Sequence, residues 1–118
     1  MAYMLLILED PAQRGTRSEA QGREVFQQML DWSDNLKKRG VLQAVESLVS
    51  PDQRAARVQV RSGQSKLIDG PFAEAKEMVG GFFLVDVPSR EQAVALAKEC
   101  PAAAWATVEV RETGPCFM

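Results

Sequence analysis

The chain has 118 residues and a mass of 13.0 kDa, which suits one domain over residues 1–118 with a core that needs no staples. Hydrophobic residues make up 46% and charged residues 25%, which excludes a disordered, a collagen-like or a membrane-embedded chain. A net charge of −2 and the lack of any histidine argue against a nucleic-acid binder, a zinc site or a histidine base.

Residues 3–8 (Tyr-Met-Leu-Leu-Ile-Leu) read as a strand that is apolar on both faces. The run has no basic lead-in and no small-residue cleavage site behind it, so it is not a signal peptide. No stretch approaches the roughly 20 apolar residues that span a bilayer. A cytoplasmic protein with no membrane partner is expected. Asp10-Pro11 ends the strand, because proline lacks an N–H and the residue before it avoids the helical region.

The spacing predicts a long helix over 18–39, capped by Ser18 or Thr16. Ala20, Val25, Phe26, Met29, Leu30, Trp32 and Leu36 form its apolar stripe. Lys37, Lys38 and Arg39 suit the negative end of the helix dipole, and Gly40 is the left-handed stop. Residues 41–49 are extended. Residues 57–61 alternate, with Val58 and Val60 pointing inward. Ser62-Gly63 is a two-residue hairpin turn into a partner strand at 64–69.

Residues 82–87 (Phe-Phe-Leu-Val-Asp-Val) form another strand apolar on both faces. Ser89 caps a second helix, with Gln92 completing a capping box, and Pro101 ends it. Residues 106–111 are the last strand, with Val108 and Val110 on one face. Cys100 and Cys116 are the only cysteines. In a reducing compartment they stay as thiols, and two thiols without histidine make a poor metal site. The order of elements predicts an α+β fold, a ferredoxin-like antiparallel sheet with two helices on one face.

Two helices cover one face of such a sheet. The strands at 3–8 and 82–87 are apolar on the other face as well, and contiguous apolar patches of that size mark an interface. A second copy in two-fold symmetry is the simplest cover, so a homodimer is expected.

The stretch 69–81 (Asp-Gly-Pro-Phe-Ala-Glu-Ala-Lys-Glu-Met-Val-Gly-Gly) joins two strands with more residues than a hairpin needs. Gly70 and Pro71 shape a stiff turn, Phe72 is its apolar anchor, and Asp69, Glu74, Lys76 and Glu77 carry charge. Gly80-Gly81 admits close approach of a backbone or a ligand. Such a loop either grips a small polar ligand or is structural, with its charges solvated.

This segment, extended to Ser89, resembles the signature of the DGPF-type branch of the YCII-related proteins. "YMLLI" at 3–7, "RGVLQAVESL" at 39–48 and "CPAAAWATVEVRE" at 100–112 match the same family in order. The resemblance implies a dimeric α+β barrel, in which two ferredoxin-like sheets pack face to face. Related folds include muconolactone isomerase and cofactor-free monooxygenases. Family members are bacterial and functionally uncharacterised, and some are encoded beside alternative sigma factors. Relatives carry an Asp–His pair suspected of catalysis. Asp69 matches the aspartate, whereas Ala104-Trp105-Ala106 stands where members often carry His or Gly. Glu46 matches a family glutamate.

The expected function is a small-molecule-binding homodimer without metal or cofactor, with acid–base chemistry resting on Asp69 if it is an enzyme. Tyr3, Glu46, Asp69, Gly70, Pro71, Phe72, Lys76 and Arg111 are the candidate ligand contacts. Arg111 would neutralise Asp69 or Glu46, bind an anion, or sit solvated on an edge strand. Tyr3 would offer its phenol or lie at the barrel rim. Trp32 and Trp105 are packing residues. The alternative is a non-catalytic accessory partner, linked to an alternative sigma factor.

Overall fold

Alternation along the first strand decides which side of the sheet becomes the core. In the computed structural model, which describes residues 2–51, 54–69 and 76–118, β1 (Ala2–Glu9) buries Tyr3, Leu5, Ile7 and Glu9 and leaves Met4, Leu6 and Leu8 half-buried on the other side. A 3-10 turn (Arg14–Thr16) leads into α1 (Glu19–Lys38) and β2 (Leu42–Ser47). A ribbon of β3 (Ala56–Arg61) and β4 (Gln64–Asp69) follows, then β5 (Met78–Asp86), α2 (Arg90–Glu99), a second 3-10 turn (Pro101–Ala104) and β6 (Thr107–Glu112).

The main sheet has the order β2-β5-β1-β6 with every pair antiparallel. This is the ferredoxin-like arrangement foreseen from the sequence, with β3–β4 as an insertion between its second and third strands. Both helices lie on one face. Trp32 and Leu36 of α1 and Ala93, Leu96 and Ala97 of α2 close over Leu5, Ile7, Phe83 and Val85. Trp32 meets Phe83 edge-on, with ring centroids 4.7 Å apart. Val108 and Val110 pair with Ile7 and Leu5 and so share this face, as their spacing predicts.

Local chemistry sets the helix ends. Ser18, not Thr16, caps α1: its Oγ accepts from the Gln21 amide while the Gln21 side chain accepts from the Ser18 amide. This reciprocal box satisfies two donors that a helix start leaves orphaned. Gly40, at φ +74°, stops the chain after the helix. At α2, Ser89 Oγ accepts from the Gln92 amide at 3.2 Å, the forward half of the expected box.

Two expectations need correction. Val58 and Val60 do not point inward; Val58 is 65% exposed, and Leu67 opposite it is exposed as well. The Ser62-Gly63 turn forms with positive φ at both residues, but among the described residues the ribbon pairs only with itself. Alternation gave it two distinct faces without providing a layer to pack against. The apolar stripe of α1 is also only half used. Its second half is buried at Trp32 and Leu36, whereas Phe26 is 48% exposed and Leu30 is exposed too.

Among the described residues the opposite sheet face is bare. Met4 pairs with Leu84 and Leu6 with Phe82, so a contiguous apolar block occupies the two central strands. The molecule is a slab measuring 46 × 42 × 20 Å with a radius of gyration of 16.1 Å. A compact chain of this length would have a radius of about 13.5 Å. The excess fits one sheet layer and one helix layer with a third layer lacking.

Two acids with raised pKa values, Cys100 and Tyr3, are buried in the core. Burial pushes the Cys100 thiol up, opposed by hydrogen bonds from the Ala102 and Ala103 backbone. Burial also raises the Tyr3 phenol, helped by Glu112 and Glu91 and opposed by Arg90. A raised acid binds its proton more tightly in the folded state. The stability it contributes is therefore complete at neutral pH and declines from about pH 8.5 for the thiol and about pH 10 for the phenol. Exposed Cys116 should react with a thiol reagent at neutral pH while Cys100 reacts only on unfolding. Alkaline destabilisation should begin later in Cys100→Ala. Equal labelling rates at the two thiols would contradict this.

Candidate functional site

The unused half of the α1 stripe lines a groove. The first turns of α1 and the strands β1, β2 and β5 line about 950 Å³ between them. Ile7, Val45 and Phe83 form the floor, and Val25, Phe26, Met29 and Leu30 form the helical wall. Gly22 belongs to the same wall, with no atom within 4 Å of where its Cβ would be. The size and the apolar lining with few polar groups suit a small organic ligand.

A charged staple closes one end. Glu9 continues the inward parity of Tyr3, Leu5 and Ile7, so its carboxylate is carried into the interior and is only 3% exposed. Burying a carboxylate is costly unless it is paired. Arg14 pairs it twice: Nε donates to Oε1 at 3.1 Å and Nη2 to Oε2 at 2.7 Å. Nη1 donates to the Leu48 carbonyl at 2.8 Å and to Ser50 Oγ at 3.5 Å, and Nη2 reaches the Gly80 carbonyl at 3.4 Å. All five guanidinium N–H groups are thereby engaged. The staple ties the end of β1, the exit of β2 and the start of β5 to the loop before α1.

Gly80 and Gly81 make the close approach possible. A Cβ on Gly80 would overlap Glu9 Oε2 and lie 2.9 Å from Arg14 Nη2. A Cβ on Gly81 would lie 2.8 Å from the Glu46 carbonyl oxygen. The β1–β5 register shifts here, between Ile7 and Leu8, and the bulge turns Gly80 toward the carboxylate. At the groove's rim the Arg17 guanidinium lies 4.6 Å from the centroid of the Trp105 ring. Arg23 is paired with Glu19 at 2.8 Å on the exposed helix surface.

The model of the YCII-related domain matches residues 1–115. The chain belongs to the YCII-related family. It is also 30% identical over 99 residues to the uncharacterized protein R00369 of Rhizobium meliloti (strain 1021), an alignment covering 84% of this chain and 79% of that protein.

Within this YCII-related chain the candidate contacts do not converge on one point. Glu46 borders the groove, but its cross-strand partner is Phe82, which places its side chain on the bare sheet face. Arg111 lies on that face too, opposite Met4 and 3.6 Å from Glu109. Glu46 and Arg111 belong to opposite edge strands, about 14 Å apart at ordinary strand spacing. Tyr3 is buried roughly 20 Å along β1 from Glu9. Lys76 lines a second cavity of about 660 Å³ with Asp10, Gln13 and Glu77. Gly70, Pro71, Phe72 and the side chain of Asp69 lie outside the described residues. Among the described residues no three metal-binding side chains gather, and no helix is long and apolar enough to cross a membrane.

The Glu9–Arg14 staple was missed by the sequence reading. Half of it had a signal: inward parity along 3–9 places a carboxylate where only a paired one can stay. Arg14 had none: Glu9 is only five residues before it, but no periodicity links the two across the intervening turn, and its other acceptors, the Leu48 and Gly80 carbonyls, lie 34 and 66 residues away.

Proposed function

We propose that this YCII-related protein is a homodimer that binds a small organic molecule in the groove between α1 and the sheet, without a cofactor. The observation that carries the reading is the groove itself, about 950 Å³ lined by side chains that a filled core would have buried. The bare block of Met4, Leu6, Phe82 and Leu84 supports the dimer. The reading is one of binding rather than turnover, because the groove's carboxylates are engaged: Glu9 with Arg14 and Glu19 with Arg23.

Gly22 supplies the test. A phenylalanine there grows into open groove space and removes a poor helix former. A thermal-shift screen of small carboxylates, lactones and quinone-like compounds should find stabilising ligands, since binding to the folded state raises Tm. Gly22→Phe should keep or raise the unliganded Tm and abolish those shifts. Undiminished shifts in that variant would place the ligand elsewhere.

A further inference from the structure

The charges around the groove pair off with one remainder. Arg14 has spent its donors on Glu9, Leu48, Ser50 and Gly80. Arg23 is held by Glu19. The Glu46 side chain is assigned to the other sheet face by its register. That leaves Arg17, a groove residue whose guanidinium stacks on Trp105 and has no carboxylate or carbonyl partner among the described residues. Stacking on an indole satisfies the face of a guanidinium and fixes its plane. The N–H groups point out of the edge, in the fork that fits a carboxylate bidentately.

We infer that the groove takes an amphipathic monocarboxylate, its apolar body on Phe26 and Val45 and its carboxylate held edge-on by Arg17. The inference rests on the small-molecule reading above and adds the ligand's class. Among the described residues one groove cation, Arg17, has no ionic partner, which calls for one negative charge. A second carboxylate would lie near Glu9 or Glu19, which line the same groove and carry like charge. The apolar floor and wall call for a hydrocarbon body, and a chain of about ten carbons fits well within a cavity of this size.

Calorimetric titration of the full-length protein tests this with three probes of equal chain length: decanoate, decanol and decyltrimethylammonium, all below micelle-forming concentrations. Decanoate should bind about tenfold or more tightly than decanol, as a charge-assisted bidentate contact would give, and the cationic probe should bind weakest. Arg17→Gln should lower decanoate affinity about tenfold and leave decanol unchanged. Arg17→Lys, which keeps the charge but loses the fork, should fall between them. Equal affinity for decanoate and decanol, or unaltered decanoate binding in Arg17→Gln, would overturn the inference while leaving the groove as a site for neutral ligands. Binding of none of the three would overturn the groove reading along with it.

Discussion

Arg14→Met is expected to lower folding stability by about 3 kcal/mol, the low end for breaking a buried ion pair because Arg14 itself keeps 27% of its side-chain surface in water. The larger part of this loss does not come from the missing attraction. It comes from Glu9, left as a buried carboxylate without its donors, and from the carbonyls of Leu48 and Gly80. The Glu9→Met/Arg14→Met double variant should therefore recover much of the loss, since no isolated charge remains. Gly80→Ala should cost a comparable amount by a different route: its methyl group competes with the Glu9 carboxylate for the same space. Denaturant titration at fixed protein concentration checks all three. A loss below about 1 kcal/mol for Arg14→Met would rank the staple with ordinary surface pairs.

Leu6→Lys is expected to abolish the proposed homodimer and leave a monomer. Leu6 and its partner Phe82 lie inside the apolar block of the bare sheet face, flanked by Met4, Leu8 and Leu84. Each such side chain gains up to about 1.5–3 kcal/mol on full burial. All five are already half-buried in one protomer, so the gain on pairing is smaller for each and rests on their number. An ammonium among them would have to be desolvated at a cost of several kcal/mol. Sedimentation at micromolar concentration should give twice 13.0 kDa for the parent chain and 13.0 kDa for the variant. The variant should remain folded, because Leu6 points away from the core formed by Leu5, Ile7 and the helices. A parent chain that sediments as a monomer would leave the bare face to another partner.

The parts of the fold readable in the sequence were those decided by neighbours. Ser18, Gly40, Ser62-Gly63 and Ser89 with Gln92 act within a few residues, and each marks a boundary where the structure has one. Parity along 3–8 and 82–87 separated the two sheet faces correctly. What alternation cannot name is the surface opposite. Val58 and Val60 share a face as foreseen, but no layer among the described residues meets it. Val25, Phe26 and Leu30 lie on the foreseen stripe, but a wall that lines a groove has the same spacing as one that fills a core. Attention went to 69–81 for its glycines and charges. Gly80 does serve a close approach, and its partner is Glu9, a residue passed over as the tail of a strand.

The order of events in folding follows from how far Arg14 must reach. Its contacts to Leu48 and Gly80 close sequence separations of 34 and 66 residues, and such distant closures are slow because chain entropy is lost before the contact repays it. The guanidinium can lock only after three strand ends have assembled around it, and the expected result is a lock that forms after the rate-limiting barrier, which folding and unfolding rates of Arg14→Met would check. Removing it would then leave the refolding rate nearly unchanged and hasten unfolding. On that expectation this one side chain sets the lifetime of the native state more than the speed of reaching it.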